Sequence, residues 1–189
     1  MISPDQGPEA PRSVATSTAF EGTVRVDDHA GPGKKFLGAF IERDGGERWV
    51  IDYAETSPYR VLRDRRVRVE GEVFVPDGQA LLATHFRVNV LTSVGKGDDA
   101  PLVRIGPQRK LEGRFSEKTW EPGTKLAGEK MGVFIDAAGK SYFLAHAPTP
   151  APALGVSVKV EGHDVSPSPF VTRPSGAWLW VRRIVPDGE

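Results

Sequence analysis

The chain has no cysteine among its 189 residues, which excludes disulfides, thiolate metal sites and a cysteine nucleophile and fits a reducing compartment. It carries no net charge, with 25 basic residues against 25 acidic ones. No whole-protein field therefore draws it to nucleic acid or an anionic membrane, and such a partner must be met by a local patch. No segment approaches the ~20 apolar residues of a membrane span, and the N-terminus lacks the basic start and apolar run of a secretory signal. GxSxG, HExxH, P-loop and GxGxxG sequences are missing. The histidines His29, His85, His146 and His163 are scattered without metal-ligand spacing, His146 and His163 falling at expected strand ends and His85 just before a last strand. Asp27-Asp28, Asp44 and Asp98-Asp99 fall in expected turns, where carboxylates bond their own backbone. These absences describe a cytoplasmic, non-enzymatic protein with no metal, no cofactor and no membrane partner.

What is present is an internal duplication. Gly22, Gly38, Trp49 and Gly71 recur as Gly113, Gly132, Tyr142 and Gly162, at shifts of 91 to 94 positions. A unit of about 70 residues repeated twice predicts two small domains, each large enough for one core. The expected organisation is a disordered tail over 1–18, rich in Pro, Ser, Thr and Ala, a first barrel over 19–94, a linker over 95–109 and a second barrel over 110–186.

The dominant hydrophobic period is two. In VRVEGEVFV (67–75) the valines and Gly71 share one face, with Arg68, Glu70, Glu72 and Phe74 on the other, as in a half-buried strand. Phe20, Gly22, Val24 and Val26 line the inner face of a first strand, and Phe86, Val88 and Val90 that of a last one. Asp44-Gly45-Gly46 and Ala138-Gly139 mark matched hairpins. Between strands three and four, Ser57 and Pro58 predict a capped short helix with Val61 and Leu62 as its apolar contact. The second copy has HAPTPAPALG there, whose prolines predict an extended connector.

Three strands, a short helical connector and two more strands, with glycines inside strands one (Gly22, Gly113), two (Gly38, Gly132) and four (Gly71, Gly162) that let them bend around a small barrel, resemble the oligonucleotide/oligosaccharide-binding (OB) superfamily. The resemblance covers residues 20–94 and 110–185 and implies an all-β protein of two tandem five-stranded OB-like Greek-key barrels, the first with a short helix. It also implies binding across strands two and three and the loops joining strands one to two and four to five. In the first copy that groove draws on Lys34, Lys35, Phe40 and Arg48, together with His29. In the second it draws on Trp120, Lys125, Lys130, Phe134 and Arg173. Phe40 and Phe134 are placed as equivalents, with core the favoured role over a stacking platform.

Two further features bear on partners. Arg60, Arg63, Arg65, Arg66 and Arg68 crowd nine positions, and pairing with neighbouring carboxylates is favoured over an anion-binding patch. In AWLWVRRIV, setting Val181 against Val88 turns Leu179 and Val181 inward and Trp178, Trp180 and Arg182 outward, whereas a slip of one residue buries both tryptophans. An outward Trp178-Trp180-Arg182 row is a candidate interface, and the other barrel is its simplest partner. The expected function is a binding or scaffolding module acting through protein contacts, with single-stranded nucleic-acid binding as the alternative.

Overall fold

The computed structural model describes residues 17–27, 38–78, 83–95, 101–119, 127–146, 153–167 and 175–186. Ten strands form one continuous sheet: β1 (Thr18–Asp27), β2 (Gly38–Glu42), β3 (Arg48–Asp52), β4 (Arg66–Phe74), β5 (Thr84–Ser93), β6 (Leu102–Thr119), β7 (Lys130–Asp136), β8 (Ser141–His146), β9 (Ser157–Pro167) and β10 (Ala177–Pro186). The order β3-β2-β1-β4-β5 closes through parallel pairing of β3 with β5. The order β7-β8-β10-β9 closes likewise, β8 running parallel to β10 and β9 returning to β6. The result is two five-stranded barrels with the same strand connectivity. The expected tail falls mostly on residues 1–16, outside the described residues, and Thr18 already belongs to β1.

The pairings give the copies one register. Gly22 faces Val67 and Gly113 faces Val158; Gly71 faces Val88 and Gly162 faces Val181. At these strand glycines another backbone comes too near for a side chain: a Cβ on Gly162 would stand 2.5 Å from the carbonyl oxygen of Trp180. Gly132 is different, since nothing lies within 4 Å of its Cβ position, so closure of the second barrel does not require a glycine there. The hairpins match too. Arg43 N–H donates to Glu47 O (2.9 Å) and Asp136 N–H to Lys140 O (3.0 Å), and each turn closes on a glycine at positive φ, Gly46 at 81° and Gly139 at 80°.

Several expected placements change. The connector in the first copy is a 3-10 helix, Pro58–Leu62, capped by the Ser57 hydroxyl, which accepts from Tyr59 N–H at 3.3 Å. Of the second connector, only residues 153 onward are described. The inward alternation of β4 holds through Gly71 and then fails: Val73 and Val75 are 53% and 90% exposed, and Phe74 packs instead on His85. In β5 a bulge moves the buried position: Glu70 pairs with Val90 and Gly71 with Val88, which leaves Asn89 extra and makes Leu91, rather than Val90, the buried residue.

The expected linker is the largest correction. Residues 102–109 open the 18-residue strand β6, whose first part pairs with β5 (Leu91 with Ile105) and with β9 (Ile105 with Val165). Leu102 and Ile105 are 2% and 0% exposed. They lie in a buried cluster shared with Leu91 of the first barrel and with Val165, Trp178, Phe143 and Val133 of the second. A separate cluster of Phe115, Phe134, Tyr142, Val158, Val160, Leu179 and Val181 fills the second barrel. The barrels are therefore joined by backbone pairing and by a common apolar core.

Candidate functional site

Strand β3 ends at Asp52 and the 3-10 helix begins at Pro58, after five intervening residues, so the closing seam of the first barrel and Tyr59 stand against β6, β9 and β10 of the second. Between them lies a cleft of about 500 Å³, within the usual size of small-ligand sites. Its apolar walls come from Val50, Tyr59, Phe74, Phe86, Val88 and Pro107.

A latch of polar contacts spans the barrels beside this cleft. Arg182 Nη2 donates to Asp52 Oδ1 at 2.9 Å, with the side chains 18% and 8% exposed, and Arg182 Nη1 donates to Gln108 Oε1 at 3.0 Å. Asp52 Oδ1 also accepts from the N–H groups of Tyr53 (2.8 Å) and Ala54 (3.0 Å). Trp180 Nε1–H donates to the Thr56 carbonyl at 2.6 Å, and its ring stacks on His146. Arg182 is an extra residue in β10, for Val181 pairs with Gly162 and Arg183 with Glu161. A bulge re-aims a side chain, and this one sends the guanidinium to the other barrel.

Two histidines line the cleft, both inside strands rather than at or before strand ends. His85 donates from Nδ1 to the Ala83 carbonyl (2.9 Å) and accepts the Tyr53 hydroxyl at Nε2. His163, 3% exposed, donates from Nδ1 to the Gly106 carbonyl at 3.0 Å and meets Tyr59 edge-on with ring centroids 5.6 Å apart. Burial lowers its pKa below the ordinary 6.5, outweighing the Gly106 bond. Burial likewise pushes the Tyr59 hydroxyl well above the ordinary tyrosine range, so it stays protonated at neutral pH.

The described members of the expected groove, Phe40, Arg48, Lys130 and Phe134, do not line this cleft. Lys34, Lys35, Trp120, Lys125 and Arg173, with His29, lie outside the described residues. Arg48 donates to Glu42 at 3.0 Å, and Arg25 and Arg48 together hold the Glu42 carboxyl below its usual range. Lys130 pairs with Glu117 at 3.2 Å. Phe40 is 6% exposed and borders a shallow hollow with Arg25, Arg48 and Asp64. Phe134 is not its equivalent. Phe134 faces Phe115 as Ile41 faces Val24, which puts Phe134 inside the second barrel, 0% exposed.

The arginine run is paired in part: Arg66 with Asp44 (2.7 Å) and Glu21 (3.3 Å), and Arg68 with Glu70 (3.8 Å). Leu179 and Val181 face the barrel interior, and Trp178 and Trp180 the opposite side. Trp178 is nevertheless buried, 7% exposed and packed on Phe143, so it is no solvent-facing row with Trp180.

Asp52 and His163 have no local sequence signal, because the two residues stand 111 positions apart and come to line one cleft only through barrel packing. No helix among the described residues is long and apolar enough to cross a membrane. Comparison of the chain with protein-family models, with curated proteins and with solved structures finds no match.

Proposed function

We propose that the chain is a non-enzymatic member of the OB superfamily, a two-barrel binding or scaffolding module that acts through protein contacts. The carrying observation is the fate of its described groove cations: Arg48 and Lys130 are each held by a carboxylate within 3.2 Å. Phosphate binding has to replace those carboxylates, which cancels much of the counterion-release gain that drives nucleic-acid affinity. The zero formal charge of the chain and the shared core of its barrels support the same reading, since a rigid, field-free body suits specific contact better than backbone tracking.

The test is a fluorescence-polarisation titration of labelled single-stranded DNA and RNA at about 50 mM salt, paired with capture of partners before and after nuclease treatment. Oligonucleotide affinity no tighter than the roughly 10⁻⁴–10⁻⁶ M of non-specific binding is expected, together with a protein partner that survives nuclease. Submicromolar binding that weakens steeply with salt, or loss of every partner to nuclease, overturns the proposal.

A further inference from the structure

Two residues that line the inter-barrel cleft carry buried hydrogen-bond acceptors for which the described residues supply no donor. The Gly106 carbonyl can only accept, so the His163 hydrogen sits on Nδ1 and Nε2 presents a lone pair. That Nε2 is buried and has no hydrogen-bond partner among the described residues. Asp52 uses Oδ1 for Arg182, Tyr53 and Ala54, while Oδ2 is buried and likewise has no partner among the described residues. Both residues line the same cleft. His85 provides the contrast within it, since its Nε2 receives the Tyr53 hydroxyl. An unmatched buried acceptor is costly, and two on residues that line one cavity favour an occupant that brings donors.

The charge balance narrows the choice. Asp52 is compensated by Arg182, and the other described cations lining the cleft meet carboxylates of their own: Arg87 with Glu72, Arg109 with Asp164 at 3.0 Å and Lys110 with Glu161 at 3.3 Å. A charged ligand would lose its hydration without gaining a counter-charge. We propose that this cleft binds a small uncharged molecule with an apolar body and a paired N–H donor, such as a primary carboxamide, held by Asp52 Oδ2 and His163 Nε2. The site is independent of the protein-contact reading above.

Three probes of one shape test it on the full chain: benzamide, benzoate and benzamidine, followed by the ¹⁵N resonances of the histidine rings and the backbone amides. Benzamide is expected to bind with a dissociation constant on the order of 1–10 mM, ordinary for about nine heavy atoms. It should shift His163 Nε2 and the amides around Asp52, with the two charged probes at least about tenfold weaker. His163→Phe keeps the ring and removes the acceptor, and should weaken benzamide about tenfold. The wild-type shift map stands alone should that variant not fold. No localised shift up to about 50 mM benzamide, equal binding of a charged probe, or an unchanged response in folded His163→Phe overturns the proposal.

Discussion

Replacing Arg182 by methionine keeps most of the stem and removes the charge that compensates Asp52. The loss of a buried partner costs roughly 3–5 kcal/mol because the remaining ion is stranded away from water. Here the stranded carboxylate keeps two backbone N–H donors, from Tyr53 and Ala54, so about 2–4 kcal/mol is expected. Asp52→Asn leaves an amide oxygen for those donors. The double variant Arg182→Met, Asp52→Asn should therefore be more stable than Arg182→Met alone, with a coupling of about 1–3 kcal/mol. Urea unfolding followed by tryptophan fluorescence and far-ultraviolet circular dichroism measures all three. Both probes should report one transition, because Leu102, Ile105 and Val165 tie the two barrels into one buried cluster. A cost for Arg182→Met below about 1 kcal/mol, or additive effects in the double variant, refutes the view of this pair as a structural latch.

Other expectations follow from single positions. The His163 pKa is depressed in the folded chain, so the unfolded chain takes up a proton first; stability is full above the ordinary value of 6.5 and declines as pH falls through and below it. His163→Phe should flatten that part of the stability profile, and an unchanged slope contradicts the assignment. A Cβ on Gly113 would collide with the Ile135 carbonyl and stand 2.7 Å from the Phe134 ring, whereas Gly132 has open space. Gly113→Ala should lose about 3 kcal/mol or more and Gly132→Ala should stay within about 0.5 kcal/mol by urea denaturation; comparable losses contradict the register. Phe134→Ala, in the second core, should cost about 3–5 kcal/mol, while Arg48→Ala at its exposed ion pair should cost under about 1 kcal/mol in the same assay.

The architecture was legible where periodicity and duplication agreed. Val181 set against Val88 assigns Leu179 and Val181 to the interior, and the pairings with Gly162 and Gly71 have that register. It failed where one residue decided the face. Anchoring strand two on Gly38 and Gly132 imposed a shift of 94, but the pairing of Phe134 with Tyr142, like that of Ile41 with Trp49, requires 93. A slip of one residue exchanges core for surface, which is how Phe134 came to stand beside Phe40. The bulge at Asn89 had the same effect on Val90, a local backbone event that alternation does not encode. Residues 102–109 read as linker because glycine, proline and charge surround Val103 and Ile105, and the partners that make them strand, Leu91 and Val165, are distant in sequence. The cleft was invisible for that reason too, since Asp52 and His163 acquire their environment only from the apposition of barrels.

The bulges also explain why two similar barrels make one asymmetric site. In each copy the extra residue of the last strand follows the valine paired with the strand-four glycine: Asn89 after Val88 and Arg182 after Val181. Both extra residues line the cleft, so the duplication points the same irregularity of each barrel into a common space. Chemistry then separates them. Asn89 is uncharged, whereas Arg182 carries the charge that makes a buried Asp52 tolerable. The preceding outward positions diverge in parallel: Arg87 of the first copy corresponds to Trp180 of the second, each carbonyl lying over its strand-four glycine. Arg87 stays beside Phe74 at the cleft, while Trp180 reaches the Thr56 carbonyl and docks the barrels. A bulge common to both copies thus gives the geometry, and the residues at two positions make one copy's bulge the clamp and the other's a wall of the cavity.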